Sequence, residues 1–242
     1  SGTFSILEYN ACDDADCDSG TGNVGLDDAE SDWDTIFENN NNEDVHLFHS
    51  DTQLRDKGTD LSADVNLPFS TDIDGHTRGN NGAWDIGADE GSLAVYYSVG
   101  QDGTTDRKTG TPTMTISSGV ATFSTAQTGN IGVGDVIDYD IDNKKLYIKS
   151  KTDTSNWKVV TVTGATPADV GTGLTVNSIK RVYSSLSNAE AGASTLLATS
   201  DLKANNYTLN LPCYYDTGAD TNAVAVGGYT TGVPNYIKIY TP

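Results

Sequence analysis

Six short alternations of apolar and polar residues between Thr113 and Val176 leave this part of the chain few folds to choose from. They run over Thr113–Ile116, Val120–Phe123, Val136–Tyr139, Leu146–Ile148, Trp157–Val162 and Thr172–Val176. A period of two sends successive side chains to opposite faces of a strand, so each stretch offers one face to a core and one to water. Asp142-Asn143 lies between two of them and reads as a hairpin turn. The expected structure is a small antiparallel β-barrel or sandwich. The hydrophobic fraction, 36%, is low for one large core, whereas Gly, Thr, Asn and Asp are abundant. Both suit many short strands joined by polar turns. Nothing in this region carries a catalytic pattern. Trp157 and the nearby tyrosines could stack on sugar rings, but packing in a core or at a sheet edge is the favoured reading.

The densest cluster of turn residues is Asp72–Glu90, DIDGHTRGNNGAWDIGADE. Asp72, Asp74 and Gly75 make an Asp-x-Asp-Gly corner, in which carboxylates bond their own backbone and glycine takes a positive φ. Arg78 is the nearest cation to Asp72, Asp74, Asp85 and Asp89, and a guanidinium can bind carboxylates two at a time. Trp84 and Ile86 alternate with Asp85, which places one side inward. Two readings stand side by side: a salt-bridged structural corner, favoured, and a Ca²⁺ site made of these carboxylates, Asp72 and Asp74 foremost.

This stretch resembles the closing motif of right-handed parallel β-helix proteins of the pectate-lyase-like superfamily, in which a D-x-D-G-x-x-R turn and a D-I-G-A-D-E end follow the last coil. Glu43–Leu47 (EDVHL) and Asp51–Asp60 (DTQLRDKGTD) resemble that family's approach to the turn, with Arg55 and Lys57 departing from it. The resemblance spans Asn39–Glu90. It implies a β-helix architecture and leaves activity open, because one fold hosts many functions.

Ahead of it, Phe4 and Ile6 mark a short strand over Thr3–Tyr9. The acidic loop that follows holds Asp14, Asp16 and Asp18, a spacing like the start of a Ca²⁺ loop, although Ser19 and Gly25 stand where that loop needs Gly and Glu. A solvated loop is the default there. Cys12 and Cys17 share the loop without zinc partners, so a local disulfide is expected if the protein is secreted. Cys213 has no obvious partner and reads as an inert thiol. Trp33, Ile36 and Phe37 are expected to face inward. His46 and His49 flank Leu47 and Phe48 with no third metal ligand in the local sequence, and His76 is expected at the surface. Fourteen Lys and Arg stand against 34 Asp and Glu, a net charge of −20. Such a surface repels nucleic acid and anionic membranes, favours solubility and attracts divalent cations. No run approaches the ~20 apolar residues that span a bilayer. Ser1 opens the sequence without an initiator Met or a signal-peptide pattern, as a mature chain or a fragment does.

Towards the other end, Ile179, Val182, Tyr183 and Leu186 fall at i, i+3, i+4 and i+7, one apolar helical face. Ser187 and Glu190 form a capping-box pattern that restarts a helix through Leu197. Strand-like pieces follow at Tyr207–Leu211, Ala223–Val226 and Tyr236–Tyr240, separated by Gly, Asp and Asn. A helix before three short strands resembles the same family's amino-terminal cap and first coil. The expected organisation is therefore mainly β: a β-helix carboxy-terminal coil and closing segment over 1–90, a bridging antiparallel domain over 91–176, and a helical cap with a first coil over 177–242. A chain that begins where a β-helix ends and ends where one begins stacks head to tail and yields a filament. The expected function is a non-enzymatic structural subunit of an extracellular filament or cell-surface appendage, with itself as partner. The interface residues are Phe4, Ile6, Tyr207, Leu209, Leu211, Ile237 and Ile239. A glycan-binding adhesin module and a fragment of a carbohydrate-active lyase or hydrolase are the alternatives. No organic cofactor is expected; Ca²⁺ is the ion these carboxylates could hold.

Overall fold

The computed structural model describes residues 11–12, 24–25, 36–39, 44–47, 51, 53–66, 68–79, 83–142, 144–232 and 235–242. Contacts divide the chain into two compact units, Ser1–Ser92 and Leu93–Pro242. The expected interface residues Phe4 and Ile6, the carboxylates Asp14, Asp16 and Asp18, and the Cys12–Cys17 disulfide lie outside what is described.

The second unit is built on a closed antiparallel barrel. Its strands are β7 (Thr113–Ser117), β8 (Val120–Phe123), β9 (Val136–Tyr139), β10 (Lys144–Lys151), β11 (Asn156–Val160) and β12 (Val170–Lys180). They close in the order β10-β11-β8-β7-β12-β9. The expected small antiparallel barrel in a mainly β chain is thus present, with the alternation acting as anticipated. Met114 and Ile116, Ala121 and Phe123, Ile137 and Tyr139, Leu146 and Ile148, and Trp157 and Val159 all point inside. On β12 the period breaks between Val176 and Ser178, where the register shifts against β9. The extra residue lets both Val176 and Ile179 face inward, as a bulge does. Trp157 is 1% exposed, so its ring fills the barrel.

β10 is buried on both faces at its centre. Tyr147 and Val160, paired across β10 and β11, turn outward into a second core. That core lies under a parallel sheet whose central strand is β13 (Tyr207–Tyr214), flanked by β14 (Ile237–Tyr240) on one side and by β5 (Leu93–Tyr96) and β6 (Val99–Gly100) on the other. Helix α1 (Leu186–Leu197) adds Ala189, Ala193 and Leu197 to it, one stripe at i, i+4 and i+8. The small alanines permit close approach. Gly134, at φ +84°, lies where a Cβ would come within 2.6 Å of the Ser98 backbone nitrogen. The β8–β9 loop therefore approaches the β5–β6 break only because that position is glycine.

Three expectations are corrected here. First, among the described residues no parallel β-helix is formed: the second unit is a closed antiparallel barrel with one parallel sheet. Within the described part of Asp72–Glu90 there is no strand, only turns, bends and an isolated Thr71–Thr77 bridge. The motif that resembled a coil ending is a turn-rich knot held by side chains. Second, Ala223–Val226 is not a strand. β13 is already paired on both sides, and Val224 and Val226 are left exposed. Third, the helix does not begin at Ile179. Ile179 belongs to β12, which ends at Lys180, and α1 starts after Ser185, whose Oγ accepts the Asn188 N–H. The helix through Leu197 is present, with its cap two residues earlier than Ser187.

The first unit is held by a small cluster of Ile36, Leu47, Leu54 and Ile86, with Phe37 against it. β1 (Ala11–Cys12) pairs in parallel with β2 (Val24–Gly25), and β3 (Phe37–Asn39) pairs antiparallel with β4 (Asp44–Leu47). Among the described residues no helix is long and apolar enough to cross a membrane.

Candidate metal centre and structural networks

Asp72 organises the turn of the first unit. One carboxylate oxygen accepts the Asp74 N–H at 2.9 Å and the His76 N–H at 2.7 Å. The other takes the His76 ring Nδ1 at 3.1 Å and, at 3.4 Å, the Glu90 N–H. Gly75 closes the corner at φ +84°. With both oxygens committed to the turn, Asp72 is a poor candidate for a metal ligand. His76, expected at the surface, is 7% exposed because it belongs to this network.

Among the described residues, Arg78 pairs with no carboxylate. Its guanidinium donates to the carbonyls of Asp85, Gly87 and Asp89, at 3.2, 2.5 and 3.1 Å. It also lies over the rings of Phe69 and Trp84, at 5.6 and 5.3 Å from their centroids. A planar cation with several fixed donors gathers three carbonyls that a lysine could not reach together. Its neighbours Asp85 and Glu90 are instead satisfied by backbone. Asp85 accepts from Asp56 and Gly91, and Glu90 from Gly79 and Asp85. Burial pushes the Asp85 carboxyl up to about 6, with Arg55 pulling the other way. Burial and the charge of Asp85 push Glu90 up to about 7.

The corner also brings three possible metal ligands together. His46 comes from β4, Asp74 from the Asp-x-Asp-Gly corner and Asp89 from the closing DIGADE segment. His46 Nε2 lies 2.8 Å from Asp74 Oδ2. Asp89 Oδ2 accepts the Leu47 N–H at 2.8 Å, which ties it to the same strand. One ligand atom from each of the three lies within 4.8 Å of the others. Asp74 is exposed, His46 half-buried and Asp89 buried. Burial holds the Asp89 carboxyl up, opposed by the Leu47 N–H and by His46 and reinforced by the charges of Asp72 and Asp74. Among the described carboxylates expected as ligands, Asp74 and Asp89 belong to this group, and Asp72 and Asp85 do not. Sequence reasoning named Asp89 with Asp74 but missed His46, which is 28 residues from Asp74. The one signal was the strand pattern at Asp44–Leu47, which turns Leu47 to the core and His46 to the opposite face.

The second unit carries a buried ionic cluster that no local motif announced. Arg181, just after β12, grips both Asp135 oxygens, with Nη1 at 2.8 and 2.7 Å. Its Nη2 and Nε hold the two oxygens of Asp216 at 2.8 and 3.1 Å. Arg107 adds a bond to Asp216 at 2.8 Å, and the Tyr214 ring lies 3.6 Å from the Arg181 guanidinium carbon. Asp135 precedes β9 and the Arg107 N–H bonds the Ile179 carbonyl of β12, whereas Tyr214 ends β13 and Asp216 follows it, so the cluster rivets barrel to sheet. Beside it an open cleft of about 300 Å³ is lined by Val99, Leu186, Cys213, Asp220 and Val224, among others. Asp220 accepts the Leu186 N–H at the start of α1. Burial raises the Cys213 thiol, so it is less nucleophilic than a free cysteine.

Of the expected interface residues, Leu209 and Leu211 are covered by the unit's own core, at 0% and 2% exposure. Tyr207 and Ile237 are half-buried against that core. Ile239 is 42% exposed on β14. Comparison with protein-family models, with curated proteins and with solved structures gives no match.

Proposed function

We propose that the chain is a non-enzymatic structural module of an extracellular or cell-surface assembly, joined to further copies of itself by strand addition. The observation that carries this reading is β14. It is the outer strand of the parallel sheet and, among the described residues, pairs with β13 alone. An outer strand presents unpaired backbone groups that another chain can take up. The occupant proposed is the Thr3–Tyr9 segment of a second copy. Its Phe4 and Ile6 alternate as Ile237 and Ile239 do. Covering the exposed part of Ile239 contributes about 1 kcal/mol, so the pairing depends on repeated backbone bonds as well.

Two observations favour this reading over carbohydrate chemistry. Trp157, a residue expected as a candidate to stack on sugar rings, is inside the barrel. Asp85 and Glu90, two of the acids with raised proton affinity, have their oxygens taken up by backbone N–H groups. The test is light scattering and electron microscopy of the wild type and of Ile239→Asp. Ile239 is exposed, so the variant keeps its fold. Concentration-dependent oligomers or filaments that disappear in the variant support the reading. A wild type that stays monomeric at high concentration, or filaments that persist in the variant, would reject it.

A further inference from the structure

We propose that His46, Asp74 and Asp89 form a site for one divalent cation of the imidazole-accepting class, typified by Zn²⁺, that pins β4 to the Asp72–Glu90 turn. This rests on the first unit alone and is independent of the strand-addition reading.

Geometry comes first. Three ligands around a tetrahedral Zn²⁺ lie about 3.4 Å apart, given metal–ligand distances near 2.0–2.2 Å. One ligand atom from each side chain already lies within 4.8 Å of the other two, and one of these distances is 2.8 Å. Rotamer adjustments of under about one ångström per side chain would close the set, and the exposed Asp74 can move freely.

Charge points the same way. Asp89 is 3% exposed and Asp72 8%. Among the described residues, neither Asp74 nor Asp89 has an ion pair with Lys or Arg. The nearest guanidinium, Arg78, is turned to backbone carbonyls. Asp72 has the His76 ring as its partner, so two carboxylates, Asp74 and Asp89, share the His46 imidazole, and a buried carboxylate such as Asp89 without a cation is costly. A bound dication relieves that cost.

The donor types choose among cations. Ca²⁺ takes six to eight oxygens and seldom an imidazole, whereas one nitrogen with two carboxylates suits Zn²⁺ and its transition-metal neighbours. The Leu47 N–H on Asp89 orients that ligand from outside the coordination sphere, as second-layer hydrogen bonds do. Because Asp74 lies at the surface, one side of the ion stays open to water.

The test uses the full chain, stripped with EDTA and with its cysteines alkylated so that thiols take no part. Zn²⁺ and Ca²⁺ are titrated separately at pH 7.5 by calorimetry, with histidine ¹⁵N spectra recorded in parallel. The expected result is one saturable Zn²⁺ per chain, bound at least 100-fold more tightly than Ca²⁺, with the Nε2 signal of a single histidine displaced. His46→Gln should abolish that displacement, and Asp74→Asn, at an exposed position that leaves the fold intact, should weaken Zn²⁺ at least tenfold. Non-saturable binding, a preference for Ca²⁺, or Zn²⁺ affinity unchanged in both variants would overturn the proposal. An imidazolium held by Asp74 and Asp89 would then account for the cluster.

Discussion

Replacing Arg181 by Met tests whether the buried ionic cluster holds barrel and sheet together. Arg181 and Asp135 are both fully buried as side chains, and Asp216 nearly so. The substitution keeps much of the volume but strips Asp135 of its bidentate partner. Asp216 retains Arg107, whereas Asp135 is left with the Gly132 N–H and Ser98. Removing one partner of a buried pair costs about 3–5 kcal/mol, because the remaining charge is uncompensated. For a unit of about 150 residues this lowers its melting temperature by roughly 6–20 °C. Calorimetry gives the midpoint, and hydrogen exchange over β7–β12 assigns it to this unit. The pH dependence separates charge from packing. Burial already raises the Asp135 carboxyl with Arg181 present, and without it the proton is held more tightly. The variant's folded state then binds more protons than its unfolded state above pH 4. Its deficit against the wild type is therefore smallest near pH 4 and grows as pH rises. Arg181→Met with Asp135→Leu should recover part of the loss, since neither charge is then stranded. A deficit under about 1 kcal/mol, or one that does not change between pH 4 and 8, would falsify the electrostatic account and leave only lost packing.

Two further outcomes follow from the first unit. Asp85 and Glu90 should titrate by carboxyl ¹³C NMR with apparent values near 6 and 7. Both are raised, so the native unit holds extra protons between about pH 4 and 7 and loses stability as pH rises through that window, about 3 kcal/mol from Asp85 alone; titration near 4 for both acids would show that they are not desolvated. Arg78→Lys should destabilise this unit by about 2–3 kcal/mol, since an ammonium cannot serve three carbonyls and two aromatic faces at once. Urea unfolding with a midpoint unchanged from wild type would mean that the carbonyls find other donors.

Short-range features were legible in the sequence, and long-range meetings were not. The six alternations between Thr113 and Val176 determined six strands and the side of each that faces inward, because a two-residue period acts through neighbours on one strand. The Asp-x-Asp-Gly corner likewise determined its own turn, since Asp72 bonds residues two and four places on. At Ile179 two periods overlapped: the spacing to Val182, Tyr183 and Leu186 suits a helix, but pairing of β12 with β9 across a bulge decided for strand. Tertiary structure alone decided that β13 takes β5 as a neighbour, more than a hundred residues away. That pairing fills the place a further coil would need and covers Leu209 and Leu211 from within. It also decided which charges meet. Asp135, Arg181 and Asp216 are 46 and 35 residues apart, and His46 is 28 from Asp74. Among 34 acidic residues no local spacing selects these few; they meet because closure of the barrel and packing of β4 on the turn carry their backbones together.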